Sequence, residues 1–164
     1  MARRAASQQF GLEFDAQLCF DLYAASRAVT TAYRSLLADL GLTYPQYLVM
    51  LVLWERGSCT VRELGEVLHL DSGTLSPLLK RLMAAGLLRR ERRTDDERSV
   101  RAVLTDEGQA LRARAEAVPP AIGAAMALEP SEFATLQRML RRLAQNVSTS
   151  SLTQPDGALA DADD

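Results

Sequence analysis

The sequence predicts a mainly α-helical fold with a small β-hairpin, and three observations carry that expectation. Apolar residues recur at helical spacing over most of the 164 positions. Two capping boxes, Thr43-Tyr44-Pro45-Gln46 and Thr60-Val61-Arg62-Glu63, mark helix starts, because their side chains satisfy N–H groups that the first turn leaves free. Only the stretch around 87–104 alternates as strands do, on either side of the polar Thr94-Asp95-Asp96-Glu97.

The elements follow in order. From Glu13 to Asp39, Phe14, Leu18, Leu22, Val29 and Leu36 repeat at helical spacing with no Gly or Pro between them, which predicts one long amphipathic helix ended by Gly41. A helix this long, this early, has more apolar surface than a small domain covers, so a partner chain is expected over it. The first capping box opens a helix to about Arg56, and its run Leu48 to Trp54 is apolar all round and assigned to the core. The second opens a short helix to about Leu68. Asp71 caps a helix over Ser72–Ala85, which Gly86 ends. Two strands, 87–93 and 99–104, form the hairpin. Thr105 starts a helix to about Val118, where Pro119-Pro120 breaks the pattern, and a last helix covers about 131–146. The order of elements is that of a winged helix-turn-helix. One domain is expected over 1–147, with dimerisation helices at about 12–40 and 105–147, a DNA-binding lobe at about 58–104, and a disordered acidic tail at 148–164.

Charge distribution supports that lobe. The chain carries a net charge of −2, yet residues 80–101 hold eight basic side chains against four acidic ones. The tail from Val147 holds four aspartates and no base, so acidity there masks the basic segment. No apolar run is long enough to span a membrane, and the basic start Met1-Ala2-Arg3-Arg4-Ala5 is followed by no continuous apolar stretch. A cytoplasmic protein with no membrane association is expected. Cys19 and Cys59 lie too far apart in an unpatterned sequence to suggest a disulfide framework, and with the lone His69 they make a poor metal site. No metal and no cofactor are expected. His69 reads as a surface or capping residue, Trp54 as core, and Cys59 as a packing residue.

In a helix-turn-helix the second helix enters the major groove, N-terminal residues toward the bases. Here those residues are Ser72, Gly73, Thr74, Ser76 and Pro77, small enough for close approach, with Lys80 and Arg81 placed for phosphates. Leu75, Leu78, Leu79 and Leu82 form the stripe that docks the helix. Hydroxyls at a helix start are as a rule simple caps; the adjacent hairpin favours DNA instead. Arg89, Arg90, Arg92, Arg93 and Arg98 repel one another unless an anion lies close by. Arg98 at the hairpin tip suits the narrow, electronegative minor groove, and Asp96 is spaced to hold its side chain.

Several segments resemble one family. Leu18-Cys19-Phe20-Asp21-Leu22-Tyr23-Ala24-Ala25-Ser26-Arg27, Leu42-Thr43-Tyr44-Pro45-Gln46-Tyr47, Leu70-Asp71-Ser72-Gly73-Thr74-Leu75 and Asp95-Asp96-Glu97-Arg98 are similar to the organic hydroperoxide resistance regulators (OhrR). These are a branch of the multiple antibiotic resistance regulator (MarR) family. The likeness covers about 12–145. It implies a homodimeric repressor, not an enzyme, that binds double-stranded operator DNA and lets go when an organic hydroperoxide oxidises the thiol of the first helix, here Cys19. It further implies that two tyrosines of the other subunit, matching Tyr33 and Tyr44, hydrogen-bond that thiolate, with Tyr23 matching a third tyrosine nearby. The chemistry is coherent: a thiolate attacks peroxide, whereas a free thiol titrates near about 8.5, and phenol donors favour the charged form. A sulfenic acid is neutral and bulkier, and loses those donors. One departure stands out. Some relatives resolve the sulfenic acid with a cysteine in the C-terminal half, and none follows Cys59 here, which implies a small thiol or a backbone nitrogen instead.

Taken alone, Cys19 also fits a passive structural residue. The alternative is then a MarR-type repressor released by non-covalent binding of a lipophilic or phenolic ligand. A thiol peroxidase is the third reading, opposed by the basic hairpin and by the missing resolving cysteine.

Overall fold

A computed structural model describes residues 12–92 and 100–150 of the chain. It contains helices α1 (Leu18–Leu36), α2 (Tyr44–Arg56), α3 (Val61–Leu68), α4 (Ser72–Ala84), α5 (Asp106–Ala115), α6 (Val118–Met126) and α7 (Pro130–Ser148), with strands β1 (Ser58–Thr60), β2 (Leu88–Arg92) and β3 (Val100–Leu104). The described residues fall into two compact units, divided between Ala125 and Met126.

In the first unit α2 is the central post. Its start is fixed as the capping box requires: the Thr43 N–H donates to the Gln46 side chain at 2.8 Å, and Pro45 sits in the first turn, where no N–H is needed. Val49, Met50 and Leu53 are fully buried against Leu37, Leu64, Leu75 and Leu82. Full burial of each such side chain contributes about 1.5–3 kcal/mol. Leu75, Leu78, Leu79 and Leu82 all face this core, as their spacing predicts. Leu51 departs from the all-round apolar run: it is exposed and lines a surface cleft with Tyr47, Trp54, Arg112 and Pro119.

Four expectations are corrected. The first long helix is shorter at both ends, with 3-10 turns at Phe14–Ala16 and Ala38–Leu40; the left-handed Gly41 closes the second. The hairpin is part of a three-stranded antiparallel sheet of order β1-β3-β2, in which Cys59 and Arg90 flank Ala102. A three-residue strand is too short to leave an alternation signal. Pro119-Pro120 opens a helix instead of ending one, since the first turn of α6 leaves its N–H groups unpaired anyway. The last helix extends through Ser148.

The second unit is chiefly α7. Glu129 and Glu132 form its capping box, and Pro130 stands at its first position. Phe133, Leu136, Met139, Leu140 and Val147 form an apolar stripe along it, and all five are exposed. Exposed apolar side chains also gather around the start of α1: Leu12, Phe14, Leu18 and Phe20, with the Phe14 and Phe20 rings 4.5 Å apart. Among the described residues no helix is long and apolar enough to cross a membrane.

Candidate nucleic-acid interface and thiol site

Helices α3 and α4 meet through a tight turn. His69 ends α3 in the left-handed conformation, φ 53°, as its C-cap. Gly65 allows the close approach that follows, because a Cβ there would lie 2.7 Å from the Leu70 carbonyl oxygen. Asp71 then caps α4. Its carboxylate accepts from the Thr74 N–H and from the Thr74 hydroxyl, both at 2.8 Å. These bonds, the hydroxyl first, hold the Asp71 carboxyl below the usual range and therefore ionised.

The residues expected to face DNA are all exposed on this helix: Ser72, Gly73, Thr74, Ser76, Pro77, Lys80 and Arg81. Two hydroxyls have local duties. The Ser76 hydroxyl donates to the Ser72 carbonyl at 2.7 Å, and Thr74 donates to Asp71, so in this state both present oxygen lone pairs outward, not protons. Pro77 lies inside α4 and supplies no N–H to the carbonyl one turn earlier, that of Gly73.

In the sheet, Arg89 is ion-paired with Glu91, which removes it from the group of uncompensated arginines. Arg90 is exposed. Arg101, counted in the sequence only as charge, is a fastener. Its guanidinium donates to the Ser58 hydroxyl at 3.0 Å and to the Ser58 carbonyl at 2.8 Å, and lies 3.5 Å from Glu63. Glu63 also accepts from the Thr60 N–H at 2.6 Å, the main cause of its lowered pKa. Strands β1 and β3 and helix α3 are thereby tied at one point. No pattern marks such an arginine in a sequence already rich in them. Arg93, Asp95, Asp96 and Arg98 lie outside the described residues.

Cys19 and Cys59 differ sharply. Cys59 is 1% exposed, and burial pushes its thiol pKa up. Cys19, the second residue of α1, is exposed. One turn on, the Tyr23 hydroxyl accepts from the Arg27 guanidinium at 3.0 Å, which leaves the phenol proton free to be donated. Arg27 also lies over the Tyr23 ring, 5.6 Å from its centroid. Nothing in the spacing marks Arg27 as Tyr23's partner beyond the i,i+4 rule.

Tyr33 and Tyr44 come together, their rings stacked with centroids 4.3 Å apart. Burial, and for Tyr33 the neighbouring Tyr44 and Tyr47, raises both phenol pKa values, so both remain neutral donors. They are far from Cys19 of the same chain: fourteen residues of helix separate Cys19 from Tyr33, about 21 Å of rise.

Fold and surface thus define a winged helix-turn-helix protein, with an exposed thiol on its first helix. Residues 42–100 match the MarR family model. The chain is 50% identical to the organic hydroperoxide resistance transcriptional regulator of Bacillus subtilis over 111 residues, 68% of this chain and 76% of that protein. It is 56% identical over 109 residues to the transcriptional regulator TtmR of Methylorubrum extorquens, covering 66% of this chain but only 56% of TtmR's length. Reduced AbfR bound to DNA superposes with a TM-score of 0.70 at 37% identity, over 90% of this chain and 94% of that one. AbfR in a disulfide form gives 0.60 at 35% identity, over 90% and 97%. The chain belongs to the MarR family of transcriptional regulators, close to the organic hydroperoxide resistance branch.

Proposed function

We propose that this chain is a cytoplasmic homodimeric repressor that binds operator DNA through α4 and the wing and is released when an organic hydroperoxide oxidises Cys19. One observation carries the reading: an exposed thiol near the start of α1 and a pair of neutral phenol donors, Tyr33 near the end of α1 and Tyr44 stacked on it from α2, lie too far apart to meet within one chain. Antiparallel pairing of two α1 helices brings the thiol of each to the tyrosines of the other. The exposed apolar side chains at the start of α1, Leu18 and Phe20, supply apolar surface for that pairing.

In the proposed step the Cys19 thiolate attacks the terminal oxygen of ROOH. A sulfur–oxygen bond forms and the O–O bond breaks. Sulfur is oxidised by two electrons to the sulfenic acid, while the peroxide is reduced to an alkoxide that takes a proton and leaves as ROH. Tyr33 and Tyr44 of the facing subunit, with Tyr23 beside the thiol, hold the thiolate by O–H donation. Neutral, bulkier sulfenic acid no longer engages them. On the DNA side, Ser72, Gly73, Thr74, Ser76 and Pro77 meet base edges and Lys80 and Arg81 meet phosphates. Arg98, supported by Asp96, enters the minor groove. The similarity to a protein named for organic hydroperoxide resistance, and to AbfR solved in reduced and disulfide forms, supports the reading.

The test is DNA binding by reduced protein and by protein treated with one equivalent of organic hydroperoxide. Wild type should release DNA after treatment and recover with dithiol, while Cys19→Ser should bind and ignore peroxide. Release of Cys19→Ser by peroxide would defeat the proposal. The ligand-released alternative draws on the cleft lined by Tyr47, Leu51, Trp54, Arg112 and Pro119. That cleft, at about 230 Å³, is smaller than the roughly 300–1,000 Å³ usual for small-molecule sites, whereas a second cleft of about 430 Å³ lined by Leu36, Leu40, Arg114 and Val118 falls within that range.

A further inference from the structure

An aromatic file leads inward from the two tyrosines. Tyr44 stacks on Tyr33 at 4.3 Å, Tyr33 meets Tyr47 at 5.9 Å, and Tyr47 meets Trp54 edge-on at 6.3 Å. Tyr47 is 2% exposed, so Tyr33 packs against a ring held by the core, with the cleft beside Leu51 and Trp54 on its open side. The file ends in a directed contact: the Trp54 indole N–H donates to the Gly108 carbonyl at 2.8 Å, in the interior and 54 positions away.

Gly108 in turn touches the root of the wing. It is the third residue of α5, and a Cβ there would run into the Leu87 carbonyl oxygen and crowd Leu104. Leu87 joins α4 to β2. Its N–H donates to the Leu82 carbonyl at 3.0 Å, and its own carbonyl accepts from the Thr105 N–H at 3.1 Å. The Thr105 hydroxyl donates to the Gly86 carbonyl at 2.6 Å, and its oxygen accepts from the Gly108 N–H at 3.0 Å. The end of the recognition helix, the start of the wing and the start of α5 therefore share one hydrogen-bonded knot.

We propose that Trp54 is a positioning residue, whose N–H bond to the Gly108 carbonyl transmits the state of the Tyr33–Tyr44 pair to the Leu87 root of recognition helix and wing. The inference rests on the sensor reading above, in which those phenols engage or lose the thiol of the facing subunit. Packing contacts along the file are non-directional and slide. The indole bond is directional, and it is the link at which ring displacement becomes backbone displacement.

Trp54→Phe keeps a buried aromatic ring and removes the donor. The probe is a duplex selected from random-sequence DNA by reduced wild-type protein, titrated by fluorescence anisotropy. The readout is the ratio of reduced to oxidised affinity, compared at equal Cys19 oxidation as measured by dimedone trapping. Wild type should show a ratio of about tenfold or more, and Trp54→Phe should lose most of it. A purely structural role would weaken both states alike and leave the ratio intact, so an unchanged ratio overturns the proposal. Should Trp54→Phe fold poorly by circular dichroism, the benzothiophene analogue of tryptophan at position 54 keeps the shape without the N–H and is held to the same two outcomes. If Cys19→Ser still responds, or wild type shows no ratio, the sensor reading itself fails and takes this one with it. If Cys19→Ser is blind and Trp54→Phe responds fully, the relay alone is wrong.

Discussion

Tyr33 of α1 and Tyr44 of α2 lie ring against ring, 4.3 Å between centroids and 29° between planes. The bend at Gly41 and the capping box at Thr43 bring the two helices together at this point. Both phenols are partly buried, and this raises their pKa above the ordinary tyrosine value. Burial thus favours the neutral, proton-donating form in the folded state.

That has a sign. A raised folded pKa gives stability that is fully present below the unfolded value of about 10 and is lost as pH rises through the folded values. Melting temperature should therefore fall on the alkaline side of about pH 10, and Tyr33→Phe should flatten the decline. A decline equally steep in Tyr33→Phe would remove Tyr33 from its cause.

As donors, the same phenols are expected to govern how fast Cys19 reacts. A hydrogen bond to a charged group is worth about 1.5–3 kcal/mol. Tyr33→Phe and Tyr44→Phe should each slow oxidation of Cys19 by about one to two powers of ten, measured by stopped-flow consumption of organic hydroperoxide. Rates equal to wild type in both variants would leave the thiolate without its proposed donors.

The stripe on α7 bears on assembly. Replacing Leu136 or Leu140 with Lys puts a charge into a face expected to be dry, so sedimentation equilibrium should show the dimer giving way to monomer at micromolar concentration. The cost of a buried, unpaired charge amounts to several kcal/mol. A variant that remained fully dimeric would locate the interface elsewhere.

DNA contacts separate into two kinds. Arg98→Ala should weaken operator binding by about 1–3 kcal/mol if the side chain reads a groove. Affinity should also fall with salt at a log–log slope of about −0.9 per neutralised phosphate. Filter binding across a salt series tests both, and a flat response would deny the phosphate role of Lys80 and Arg81.

Much of the fold was legible because helix boundaries here are written in local chemistry. Thr43 with Gln46, Thr60 with Glu63, and Asp71 all cap the helices their spacing predicts, and the left-handed Gly41 and Gly86 stand where helices end. What stayed hidden depends on contacts distant in sequence. Strand β1 exists because Ser58–Thr60 pairs with a strand more than forty residues later, and Arg101 looks like one more basic charge until Ser58 and Glu63 surround it. Prolines 119 and 120 misled because proline breaks a helix in its interior but suits its first turn. At the candidate site, the sequence could pair Tyr33 with Tyr44 only through family likeness. Their stacking, and the contact of Tyr33 with Tyr47, follow from how α1 and α2 pack.

The contrast between a sealed Cys59 and an open Cys19 has a practical side. A maleimide added to native protein should attach to one sulfur per chain, and to two once the chain is unfolded in denaturant. A dye could thus be installed at position 19 with no cysteine deleted elsewhere. Any substance that guards this sulfur, a facing subunit included, would be seen directly as slower labelling.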